Sequence, residues 1–125
     1  MKPLIGATAY ANFNLKEEFE NIKALGFDFA ELSVHGTSKG VNKDSLKELI
    51  EILPIKVCHL LDINEDTILE EQKKLIKSFS GVECKTFVIH APGHFPEEKV
   101  IEEQLLVLSE LSSFVKEIGC ILLLE

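Results

Sequence analysis

Three residues able to bind a metal stand at the ends of three successive apolar runs. His59 lies in Ile55–Leu61 (IKVCHLL), His90 closes Thr86–His90, and Glu125 closes Cys120–Glu125 (CILLLE). Two imidazoles and a carboxylate form a standard ligand set for zinc and are acceptable to manganese; magnesium or cobalt is also compatible with it. A divalent metal held this way, with an open position, can polarise a carbonyl or activate water. Each residue also has a plainer reading: a core histidine, a histidine bonded to turn backbone, a solvated carboxylate. The conjunction at three strand ends in a row carries the metal-site expectation.

Other polar residues offer supporting roles. Glu31 ends an apolar run and reads as a substrate contact, a general base or a solvated carboxylate. His94 follows His90 across the turn Ala91-Pro92-Gly93, and His35 lies in the loop His35–Gly40. Both are candidates for contacting substrate or supporting the ligands, and both also read as surface histidines. Asp62 and Asn64 read as loop and cap residues. There is no phosphate-cradling glycine loop, zinc-finger spacing or nucleophile elbow.

The elements that must position these residues follow from hydrophobic periodicity. Leu4–Tyr10, Phe27–Val34, Ile55–Leu61, Thr86–His90 and Cys120–Glu125 are short apolar runs of the kind that form strands. Between them lie four helical patterns. The first is capped by Asn14, with Glu17 three residues on, and ends at Gly26. The second is expected to start at a Ser45/Glu48 capping box and stops at Pro54. The third is capped by Asn64 or Asp66 and ends near Gly81. The fourth opens at Pro96-Glu97-Glu98 and closes at Gly119. The order is βαβαβαβαβ, an α/β pattern that argues for parallel strands with right-handed crossovers. Carboxyl ends of parallel strands share one rim. Inward side chains of strands three, four and five can therefore converge there.

The chain has 125 residues, enough for a single domain, residues 1–125. Four βα units and a strand make about half of a ~250-residue (β/α)8 barrel. The expected fold is therefore the first half of a TIM barrel, an amino-terminal piece of a longer protein. A half-barrel that forms a homo-oligomer and an open doubly wound sheet are the alternatives. The net charge of −8 disfavours a basic surface that grips phosphates. Cys58, Cys84 and Cys120 show no CxxC spacing and read as reduced thiols of a cytoplasmic protein. No apolar run approaches the ~20 residues of a membrane span, and no signal peptide is evident.

Taken together, IGATAY (5–10), LGFDFAEL (25–32), VCH (57–59), HAPGH (90–94) and LLLE (122–125) carry a resemblance. In their order and spacing the sequence resembles the xylose isomerase-like TIM-barrel superfamily. That group joins sugar and sugar-phosphate isomerases and epimerases to abasic-site nucleases of the endonuclease IV type. The resemblance spans essentially the whole chain and corresponds to the first half of a family barrel. It implies that His59, His90 and Glu125 fall on metal-ligand positions of the nuclease-like members. It also implies that Glu125 serves as ligand and acid/base in the isomerase-like ones. Remaining family ligands belong to later strands, so the chain alone is expected to hold a partial site.

Two departures separate the chain from the nucleases. The segment after His59, Leu60-Leu61-Asp62-Ile63-Asn64, has no tyrosine, and the loop Tyr10-Ala11-Asn12-Phe13 is not glycine-rich. With the acidic charge, these make nucleic acid the less expected partner and a small sugar or sugar phosphate the more expected one. Three functions are thus in view: a metal-dependent isomerase or epimerase, a zinc-dependent phosphodiesterase, and a non-catalytic assembly module.

Overall fold

The computed structural model describes residues 2–34, 38, 40–61, 68–90 and 98–125. His35, His94, Asp62, Asn64, Asp66 and the Pro96-Glu97 helix opening lie outside the described residues. The elements run β1 (Gly6–Tyr10), α1 (Leu15–Ala24), β2 (Phe29–Ser33), α2 (Lys43–Ile52) and β3 (Ile55–His59). They continue as α3 (Ile68–Ser78), β4 (Thr86–Ile89), α4 (Glu98–Glu117) and β5 (Ile121–Leu124). Every expected strand and helix is present, and each strand is shorter than its apolar run by one to three residues. Ladder pairing, and not hydrophobicity, sets the ends.

All strands are parallel and stand in the order β1-β2-β3-β4-β5. A doubly wound sheet reverses its strand order at a switch point, which places helices on both faces. Here the order never reverses, so right-handed crossovers leave every helix on the same face. The result is an open α/β sheet with the topology of a partial barrel. Ala9, Ala30, Leu32, Cys58, Phe87 and Ile89 are buried in a core with Phe19, Leu46, Leu49, Leu75, Ile76, Leu111 and Val115 from the helices. Side chains of alternate residues point the other way, into what would be the barrel interior.

Local chemistry fixes the helix ends. The Asn14 side chain accepts from the Glu17 N–H at 3.2 Å, as its sequence position suggests. Gly26 follows α1 with φ of 90°, a conformation that costs other residues a Cβ clash. The start of α2 corrects the sequence reading. Asn42, not Ser45, is the N-cap: its side chain accepts from Ser45 N–H, while Ser45 Oγ accepts from Asn42 N–H, both at 2.9 Å. Serine is short enough to return the second bond from the third helical position, a task usually given to Glu or Gln.

Among the described residues, one polar side chain is wholly enclosed. Gln72 on α3 is fully buried, and it accepts from the Leu61 N–H at 3.1 Å while donating back to the Leu61 carbonyl. A buried backbone pair leaving the sheet would otherwise lack partners. Gln72 thus anchors the chain two residues beyond His59.

Candidate metal centre at the strand ends

Sheet register determines which residues meet. Thr8 pairs with Glu31 and Tyr10 with Ser33; Ser33 in turn pairs with His59, His59 with Val88, and Val88 with Leu123. His90 and Glu125 each follow the last residue of their strands, β4 and β5. Between β2 and β3 the register shifts: Ala30 pairs with Ile55, but Glu31 pairs with Val57. Lys56 is passed over. This irregularity sets Val57 and His59 on the same face as Glu31 and Ser33, while Ile55 stays buried opposite them.

Backbone bonds continue past the strands and hold the rim. Leu60 N–H donates to the Val88 carbonyl at 2.8 Å, Val34 N–H to the His59 carbonyl at 3.0 Å, and Glu125 N–H to the Ile89 carbonyl at 2.9 Å. Each lies beside a candidate ligand, so the ligand backbones are tied to one another.

The three expected ligands converge. One ligand atom from each of His59, His90 and Glu125 lies within 4.8 Å of the others. His59 Nδ1 is 3.3 Å from His90 Nε2 and 4.0 Å from Glu125 Oε2, and His90 Nδ1 is also 4.0 Å from Glu125 Oε2. The imidazoles stack with ring centroids 5.4 Å apart and an interplanar angle of 18°. A tetrahedral zinc with bonds of 2.0–2.1 Å separates its ligand atoms by about 3.3–3.4 Å. The donor set and spacing therefore fit a divalent cation, with a small inward movement of the carboxylate.

Glu31 joins this group. Its Oε2 is 3.2 Å from His59 Nε2, on the side of the ring away from the cluster. Burial is graded: the His59 side chain is 17% exposed, His90 34%, Glu31 35% and Glu125 64%. The carboxylate of Glu125 is thus the member most open to an incoming molecule.

A cleft of about 290 Å³ lies over the cluster, lined by Thr8, Tyr10, Glu31, Ser33, His59, His90 and Glu125. Thr8, Tyr10 and Ser33 were not singled out by sequence reasoning. The available signal was the period of two along GATAY and FAELS, which puts them on the face of Glu31. They supply hydroxyl groups suited to a polyol. A larger cavity at the opposite end of the sheet, lined by Phe79, Cys84, Lys85, Ile118 and Cys120 among others, has no part in this site.

No protein-family model matches the chain, and no curated protein matches it. Solved structures do. A xylose isomerase domain protein from Planctomyces limnophilus superposes with a TM-score of 0.70 at 14% identity, over 96% of this chain and 51% of that one. A 3-keto-D-glucoside 4-epimerase from E. coli superposes with a TM-score of 0.66 at 22% identity, over 98% of this chain and 56% of that one. At such identities the likeness is one of fold. The chain has the architecture of about half of a (β/α)8 barrel. No helix among the described residues is long and apolar enough to cross a membrane.

Proposed function

We propose that this chain contributes half of the active rim of a divalent-metal-dependent isomerase or epimerase acting on a small sugar or sugar phosphate. The observation that carries the reading is the convergence of His59, His90 and Glu125 within 4.8 Å at the carboxyl ends of parallel strands, where barrel enzymes keep their chemistry. Zinc or manganese suits the donors best, with magnesium or cobalt as further options. A bound cation would supply polarisation of a substrate carbonyl or hydroxyl pair. His59 and His90 would hold it from the more buried side. Glu125, the most exposed of the three and part of the cleft wall, would complete the set and could take a proton from a carbon next to the carbonyl and return it. Thr8, Tyr10 and Ser33 orient substrate hydroxyls from the opposite wall.

Metal analysis of the purified chain is the first test. Stoichiometric zinc or manganese is expected, with loss of that metal in His59→Ala and in His90→Ala. Unchanged metal content in both variants would remove the basis of the reading and favour a non-catalytic assembly module. For the barrel as a whole, solvent deuterium should enter the substrate in a panel of sugars and sugar phosphates. Its absence across the panel would sink the isomerase assignment.

A second reading draws on the same triad, because the family resemblance implies this ligand set for the endonuclease IV type of phosphodiesterase. Chelator-sensitive incision of an abasic duplex would favour it. The net charge of −8 argues against a duplex partner.

A further inference from the structure

Glu31 occupies a place that neither a ligand nor a base requires. It stands on β2, diagonal to His59 on β3, and meets the imidazole at Nε2, the nitrogen turned away from His90 and Glu125. An ionised carboxylate only accepts hydrogen bonds. Across 3.2 Å it is therefore satisfied by a proton on Nε2. A neutral imidazole carries one ring proton, so Nδ1 is left with its lone pair exposed. That lone pair faces His90 Nε2 at 3.3 Å and Glu125 Oε2 at 4.0 Å.

We propose that Glu31 is a positioning residue. It holds His59 in the Nε2–H tautomer and thereby presents Nδ1 as the atom that binds the cation. The assignment of the ligand as a cation rests on the function proposed above; the tautomer does not. Without a cation, the same tautomer lets Nδ1 accept from His90 Nε2–H, which links the three side chains in one donor–acceptor chain. With a cation, the carboxylate would fix the ring plane and the tautomer of the imidazole, as supporting carboxylates do in histidine-ligated metal sites. The register shift at Lys56 is what brings the two residues to the same face.

The test separates the two parts. Nitrogen-15-labelled protein is stripped of metal and examined by long-range proton–nitrogen correlation of the imidazole rings, with His59 assigned by its absence in His59→Ala. At a pH where the ring is neutral, wild type is expected to carry the His59 proton on Nε2. Glu31→Ala is expected to lose that single form and show exchange between tautomers. Zinc alone, added in competition with a chromophoric chelator, should bind about 10–100-fold more weakly to Glu31→Ala. Glu31→Gln should lose less, since its amide oxygen still accepts from Nε2, and it preserves the packing if the alanine variant unfolds. A wild-type proton on Nδ1, or an unchanged Nε2–H form in both variants, would overturn the positioning role. So would equal zinc affinity in wild type and all Glu31 variants. If wild type binds no zinc yet Glu31→Ala loses the Nε2–H form that wild type holds, the positioning role is upheld and the metal reading fails.

Discussion

Buried thiols give the scaffold beneath the site a pH dependence. Cys58 and Cys84 are both buried in the helix-covered core. Burial pushes the Cys84 thiol from an ordinary 9.0 up to about 12, with the neighbouring Cys120 adding to the shift, and burial raises Cys58 as well. A raised folded-state value means that the native chain keeps its proton where the unfolded chain has lost it. Stability from this source is complete below about pH 9 and falls as the pH rises toward 12. Urea unfolding across that window should show the fall, and Cys84→Ala should flatten it while lowering stability at neutral pH. Parallel curves for the two proteins would contradict the linkage. The same burial predicts that alkylation of the folded protein reaches the half-buried Cys120 first. From sequence alone the three cysteines read as reduced, buried thiols, with Cys58 and Cys120 in apolar runs; Cys58 and Cys84 are buried, whereas Cys120 is half-buried.

At the element scale, the start of α2 separates what a sequence shows from what geometry decides. Both Asn42 and Ser45 are cap-forming residues, and Ser45/Glu48 matches the commoner capping pattern. The structure gives the cap to Asn42, one turn earlier. Asn42→Ala should therefore cost about 0.5–2 kcal/mol, read from the denaturant midpoint, while Glu48→Ala leaves it unmoved. The reverse order would restore the Ser45 cap. Strand and helix existence was legible because period and glycine position both announce it. The convergence of His59, His90 and Glu125 was legible for the same reason: parallel strands must end on a common rim. The partnership of Glu31 with His59 was not. It depends on the skipped residue Lys56 between Ala30–Ile55 and Glu31–Val57 pairing. No residue type marks that shift, since Lys56 reads equally well as an exposed position in a regular strand. Gln72 was hidden too, because a glutamine between Glu71 and Lys73 looks like part of a solvated helix face.

Over the whole molecule, the two faces of the sheet are unlike. Helices cover one, while the other leaves Tyr10 48%, Ile121 57% and Leu123 49% exposed, with Leu124 62% exposed along the β5 edge. Parallel sheets are stable when both faces are buried, and exposed apolar strands with open hydrogen-bonding edges invite pairing with another chain. The matched structures are about twice as long as this chain, and it covers 51% and 56% of them. The chain studied by itself should thus bind an apolar dye and associate as its concentration rises, with burial of the β5 face as the driving contact. Replacing Ile121 and Leu123 together by threonine keeps strand propensity and removes much of that apolar area. Sedimentation equilibrium should then show weaker association, with circular dichroism unchanged. Dye binding should fall in parallel, because both measurements read the same surface. A wild-type chain that stays monomeric over the full concentration range, with dye binding equal to that of the double variant, would show that the exposed strand face is not what drives contact.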